Sequence, residues 1–402
     1  VASWSEALDA VAAKLKAARP EKVGVVAGDL QDAESMKAAL DLFRSLGVKN
    51  IDCRQDGSPL GAGLREGWLF NTTIAGLDQV DALLLVGSNP RLEAPVLNAR
   101  IRRGWLNRGM KVGLIGPQTD LTYPYEHLGG GTGTLKTAGR GGFADVLKNA
   151  HHPAMIVGAG ALARPDGAAV LRMAGELAVS LGVVRAGWNG FNVLHTAAAR
   201  VGGLDLGFVP GEGGLDTAGM IAAAEKGDLD VLFLLGADEI DTSKLGKAFV
   251  VYLGTHGDAG ASRADVVLPG AAYTEKPGIY VNTEGRVQIA ERAVFPKGEA
   301  KDDWSILRAL SERLGHTLPY DSLADLRAKL IADHPTFGQV DYTPQPSAAF
   351  DPSKLGVKGD VVDGLFETPI KDFYLTNPIA RASVTMAECS AARAPKRMMA
   401  AE

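Results

Sequence analysis

The sequence predicts an α/β protein built on doubly wound parallel sheets, and three observations carry that expectation. Short apolar runs alternate with amphipathic stretches along most of the chain. The runs, such as Ala82–Val86 and Val231–Leu235, do not alternate apolar with polar residues. Both strand faces must then be covered, as in parallel sheets flanked by helices. Two of the runs end in a glycine followed by polar residues, Gly87-Ser88-Asn89 and Gly236 with Asp238-Glu239. That carboxyl edge is where open α/β sheets receive ligands.

The elements follow in order. Ser5, with Leu8, Val11, Ala12 and Leu15 behind it, predicts a capped amphipathic helix. Val23–Val26 predicts a strand ending at Gly28. Ala33–Leu46 predicts a helix with Met36, Ala39, Leu40 and Phe43 at helical spacing. Strands are expected at Val48–Asp52, Asp81–Val86 and Lys111–Ile115, with a helix at Val96–Leu106. Gly129–Gly142 reads as a flexible loop. The pattern then restarts with a strand at Ala154–Val157, a helix at Gly167–Leu181 and a strand at Val183–Arg185. Helices are expected near Phe191–Val201 and at Thr217–Glu225, then strands at Val231–Leu235, Phe249–Leu253 and Asp265–Leu268. Asp81–Gly87 resembles Asp230–Gly236, so two α/β blocks are expected, at 1–150 and 151–275. Ile279–Ile289 alternates around a turn near Thr283–Gly285, which reads as a hairpin. With helices at Asp302–Leu314 and Leu323–Ile331 it makes up 276–334. Residues 335–402 are expected as an extended surface segment closing in a helix at Pro378–Ala391.

Composition excludes several classes. The 402 residues suffice for about two or three domains at roughly 150 residues each. A net charge of −5 argues against a protein that tracks nucleic-acid phosphates. No apolar run approaches the roughly 20 residues of a membrane span. Two cysteines, Cys53 and Cys389, exclude a disulfide scaffold and any all-cysteine iron–sulfur or zinc site made by this chain alone. The chain opens Val1-Ala2-Ser3-Trp4, so neither a signal nor a transit peptide is expected, and the abrupt start suggests a fragment of a longer protein.

Individual motifs point to little chemistry. Gly158-Ala159-Gly160-Ala161-Leu162-Ala163 has the outline of a dinucleotide fingerprint. However, Arg164-Pro165-Asp166-Gly167 interrupts the helix behind it, and Arg185 stands where a ribose-binding carboxylate belongs, so a tight turn is expected. Gly130–Thr137 ends in Lys-Thr like a phosphate loop, but Leu135 replaces the glycine before Lys136. Arg100, Arg102, Arg103 and Arg108 read as a solvated helix face that could also meet an anion. His127, His151, His152, His195, His256, His316 and His334 form no ligand pair, and Cys53 reads as a buried structural thiol.

One combination is more specific. Leu85-Val86-Gly87-Ser88-Asn89-Pro90-Arg91, Asn71-Thr72-Thr73, Ala264–Lys276, Tyr280–Arg286 and Arg381-Ala382-Ser383 together resemble the largest peripheral-arm subunit of NADH-quinone oxidoreductases (respiratory complex I). The resemblance implies two Rossmann-like domains of the molybdopterin oxidoreductase type. In the related molybdenum and tungsten enzymes the loop after the second strand supplies a metal ligand. Here that loop is Gln55–Gly63, with Asp56 near the ligand position. The resemblance further implies that this region has lost the pterin cofactor and serves as scaffold. No catalytic, cofactor-binding or metal residue is therefore expected in it, the alternative being an active molybdenum or tungsten site. The 2Fe–2S and 4Fe–4S clusters would lie in an N-terminal part absent here. Implied partners are the FMN-binding and iron–sulfur subunits of the arm, on the cytoplasmic or matrix side of the membrane, with no nucleic acid and no span.

Overall fold

The structure, a computed structural model, describes residues 1–345 and 350–393; residues 346–349 and 394–402 of the expected extended segment 335–402 lie outside them. Its strands are β1 (Val23–Ala27), β2 (Asn50–Asp52), β3 (Ala82–Val86), β4 (Lys111–Ile115), β5 (Glu126–Gly129), β6 (Pro153–Val157), β7 (Val184–Arg185), β8 (Trp188–Asn189), β9 (Phe191–Val193), β10 (Val231–Leu235), β11 (Phe249–Gly254), β12 (Val266–Pro269), β13 (Gly278–Val281) and β14 (Val287–Ala290).

Ten of these form two five-stranded parallel sheets, as the fully apolar runs require. The first has the order β12-β11-β10-β1-β2 and the second β5-β4-β3-β6-β9. The two runs that resemble each other, β3 and β10, are the middle strands of their sheets. Each leads into a left-handed glycine, Gly87 (φ 57°) or Gly236 (φ 63°), where a side chain would strain the backbone. Strand order reverses beside each middle strand, between β3 and β6 in one sheet and between β10 and β1 in the other.

The sheets do not follow the sequential blocks 1–150 and 151–275. β1 and β2 pair into the sheet of β10–β12, while β6 and β9 join β3–β5. The chain leaves the first sheet after β2, builds the second, and returns at β10. Strand patterns reveal strands but not partners, and the rule that consecutive elements neighbour one another fails at both crossings.

Local corrections have local causes. The first helix is Trp4–Ala17, capped by Ser3 rather than Ser5, because Ser3 and Glu6 form a reciprocal capping box. Leu8, Val11, Ala12 and Leu15 are buried as expected. The helix expected near Phe191–Val201 is instead β9 followed by the helix Arg200–Asp205; Phe191–Val193 pairs in parallel with Met155–Val157. Gly129–Gly142 is not a free loop, since it holds the end of β5 and the helix Thr132–Thr137. The segment after Pro335 is irregular but not superficial: Phe337, Phe350, Leu355 and Phe366 are buried. Pro378–Ala391 divides into the helices Pro378–Arg381 and Val384–Arg393.

The helix Ala33–Ser45 is buried from Ala33 through Leu40 and again at Leu42 and Phe43, with Phe43 packed 5.2 Å from Phe233 of β10. Its polar residues survive burial by pairing. Lys37 meets Asp41 and Asp333, and Glu34 accepts from Arg327 and from the Ile279 amide. The hairpin β13–β14 docks through its turn, where Glu284 accepts the Ile74 amide at 2.7 Å.

Candidate functional site

The carboxyl edges of the two sheets meet, and charged residues from both collect there. Asp29 follows β1, Gln55 and Asp56 follow β2, Glu239 follows β10, and Arg200 begins the helix after β9. Asp56 accepts from Ser58 N (3.1 Å), Ser58 Oγ (2.8 Å) and Arg200 Nη1 (2.8 Å). Burial pushes the Asp56 carboxyl up, but Arg200 and Ser58 outweigh it and hold it below the usual carboxylate range. Gln55 Nε2 donates to Asp29 (2.9 Å) and to Glu239 (3.0 Å), bridging the two switch-point strands of the first sheet. Burial raises both of those carboxyls. From the C-terminal segment, Arg381 donates to Glu239 (2.9 Å) and Asp258 (2.5 Å).

Cys53 and His195 flank this network without joining it. Burial pushes the Cys53 thiol up to about 12, so it is a protonated core residue beside Gly203. His195 Nε2 donates to the Trp68 carbonyl at 2.6 Å, and burial lowers it to about 4. An unfolded histidine titrates near 6.5, so between pH 6.5 and 4 the unfolded chain binds the extra proton. His195 should therefore remove about 3 kcal/mol of stability as pH falls through that window. Urea unfolding at pH 7.5 and 4.5 should show a smaller loss in His195→Gln than in the parent; equal losses would refute the assignment.

The other sequence candidates are structural. Arg100, Arg103 and Arg108 surround Asp78, and Arg102 donates to the Thr122 carbonyl, so the arginine face fastens neighbouring loops. A Cβ at Gly160 would run into the carbonyls of Glu367 and Gly87, and one at Gly131 into that of Gly364. Both glycine turns are thus already covered by chain. Among the described residues no cluster of three or more His, Cys, Asp or Glu is arranged to hold a metal. Sequence reasoning singled out Asp56, and placed Glu239 at a carboxyl edge, but missed Arg200, Asp29 and the part played by Arg381. Arg381-Ala382-Ser383 carried a signal in the resemblance, though not a role.

Comparison with known families decides the kinship. The family model described as molybdopterin oxidoreductase matches residues 1–313. The chain belongs to the molybdopterin oxidoreductase family. A second model, for the C-terminal part of the NADH-ubiquinone oxidoreductase G subunit, matches residues 340–389. Within this family the chain is 44% identical, over 97% of its length, to the NADH dehydrogenase [ubiquinone] iron-sulfur protein 1 of Solanum tuberosum, covering 52% of that protein. It is 40% identical to the NADH-ubiquinone oxidoreductase 78 kDa subunit of Neurospora crassa, over 98% of this chain and 53% of that one. It is also 40% identical to the NADH-quinone oxidoreductase G subunit of Rickettsia bellii, over 98% and 56%. The chain therefore spans about half the length of the curated relatives it matches.

Two solved structures share the fold. Acetylene hydratase from Pelobacter acetylenicus aligns with a TM-score of 0.53 at 17% identity, over 87% of this chain and 65% of that one. A chain of the formyltransferase/hydrolase complex from Methylorubrum extorquens aligns with a TM-score of 0.57 at 19% identity, over 78% and 96%. The mixed α/β architecture with parallel sheets is thus the architecture of molybdopterin oxidoreductases.

Proposed function

We propose that this chain is a cofactor-free, structural part of the large peripheral-arm subunit of an NADH:quinone oxidoreductase. In that reading its two Rossmann-like halves brace the parts of the subunit that carry 2Fe–2S and 4Fe–4S clusters. Electrons pass from the FMN-binding subunit through those clusters toward quinone, coupled to proton translocation, and none pass through this region. The arm lies on the cytoplasmic face of a bacterial inner membrane or the matrix face of a mitochondrial one. No helix among the described residues is long and apolar enough to cross a membrane.

One observation carries the scaffold reading: the groups that would receive a pterin-bound metal are engaged internally. Asp56, nearest the family's ligand position, is held by Arg200 and Ser58. The nearby Cys53 is a buried thiol rather than a thiolate. The glycine turns are covered. A metal ligand must be a deprotonated thiolate or carboxylate free of other partners, and a dinucleotide needs bare backbone at its phosphates. These residues do not fit the cofactor.

The test is the molybdenum and tungsten content of the native assembly, by mass spectrometry, alongside iron and NADH oxidation. Neither metal is expected beside abundant iron. About one molybdenum or tungsten atom per chain would replace this reading with that of an active metal oxidoreductase. Asp56→Ala should lower thermal stability yet leave turnover per assembled complex unchanged.

A further inference from the structure

The segment from Phe350 to Arg381 has little regular structure, yet it is pinned along its length. Phe350 is buried beside Phe191, with ring centroids 5.9 Å apart. The Val357 amide donates to the Ala168 carbonyl at 3.1 Å, and the Val362 amide to Asp166 at 2.8 Å. Gly364 and Thr132 exchange two bonds: the Gly364 amide donates to Thr132 Oγ1 at 3.0 Å, and the Thr132 amide to the Gly364 carbonyl at 3.0 Å. Arg164 donates to the carbonyls of Val362 (3.1 Å) and Leu365 (3.2 Å), and lies over the buried Phe366 ring. The Phe366 amide donates to the Gly130 carbonyl at 2.9 Å, and the Glu367 carbonyl rests on Gly160. The segment then reaches the first sheet, where Arg381 holds Glu239 and Asp258.

These anchor points are not scattered. Gly130 and Thr132 follow β5, the edge strand of the second sheet, and Gly160 follows β6 at that sheet's switch point. Glu239 follows β10 at the switch point of the first. Switch points are where doubly wound sheets hold nucleotides. A backbone amide, a hydroxyl and a guanidinium are the donor types that hold phosphate oxygens. Here the Thr132 amide, its hydroxyl side chain and Arg164 hold carbonyl oxygens of the strap instead.

We propose that residues 350–381 are a built-in occupant of the crevice. The strap lies where a dinucleotide would lie, presents carbonyl oxygens in place of phosphate oxygens, and is fastened to the opposite sheet by Arg381. This rests on the cofactor-free reading above and gives it a cause: the chain itself closes the crevice.

Hydrogen exchange with mass spectrometry on the native assembly tests it. In the parent protein the amides of Val362, Gly364 and Phe366 should be protected, and so should those of residues 160–162 beneath them. Phe366→Ala should speed exchange of 361–367 by about tenfold or more and expose 160–162 with it, leaving β10 unchanged. Arg164→Gln should do the same and serves if Phe366→Ala fails to fold. A strap that exchanges freely in the parent over a protected crevice would overturn the proposal. So would a variant that frees the strap without exposing residues 160–162. Metal analysis of the same preparation separates the failures. A free strap over a metal-free crevice sinks this proposal alone, whereas molybdenum or tungsten sinks the cofactor-free reading.

Discussion

Replacing Lys276 by alanine should lower the unfolding free energy by about 3–5 kcal/mol at neutral pH, the loss expected when one partner leaves a buried ion cluster. Lys276 Nζ lies 2.7 Å from Asp32 and 2.5 Å from Asp303, and all three side chains are more than nine-tenths buried. Asp32 caps the helix Ala33–Ser45, and Asp303 opens the helix Asp303–Leu314, so the lysine joins both helix starts to the approach to the hairpin. Without it, two carboxylates face each other out of water. Burial, against the pull of Lys276, already raises Asp303 to about 6. In the variant the folded pair would hold a proton that the unfolded chain releases near pH 4. Stability should therefore fall as pH rises, making the deficit smaller at pH 5 than at pH 8. Urea unfolding at the two pH values measures it. An unchanged midpoint would mean that Lys276 is not seated between the two carboxylates.

Arg200→Met should cost a similar amount, about 3–5 kcal/mol. Methionine keeps most of the volume, so the loss reports on charge rather than on a cavity. Arg200 is 4% exposed in its side chain and is the cation that meets Asp56 and lies 3.8 Å from Asp29. Adding Asp56→Asn should recover a large part of the loss, since the orphaned charge is then gone. A double variant no more stable than the single would show that the ion pair is not what Arg200 contributes. Neither variant should acquire molybdenum or tungsten.

Much of the first sheet was legible in the sequence because β1, β10 and β11 are uninterrupted apolar runs bounded by glycine or charge. Even the likeness of Asp81–Gly87 to Asp230–Gly236 proved to mark the middle strands of both sheets. What was not legible is long-range. Pairing of β1 with β10 leaves no local trace, so the sequential blocks were misdrawn. Phe191–Val193 is too short for periodicity to separate strand from helix. At the site, Asp56 could be found from the family's loop, but Arg200 could not. A buried arginine is defined by the carboxylate it meets, which here lies far away in sequence. The strap was invisible for the same reason: its Pro, Ser and Gly content signals irregular backbone, not what that backbone rests on.

The interleaving of the two sheets also sets an order of events during synthesis. Val23 of β1 pairs with Val231 of β10, about 200 residues later, whereas every partner in the second sheet lies between residues 82 and 193. At the usual pace of translation, β1 has left the ribosome about 10–40 s before β10 exists to receive it. The inserted sheet can close first, while β1 and β2 wait as exposed apolar edges, the kind of surface that invites aggregation and chaperone capture. A stop codon between the two sheets' halves would then release a chain with one finished sheet and two orphaned strands.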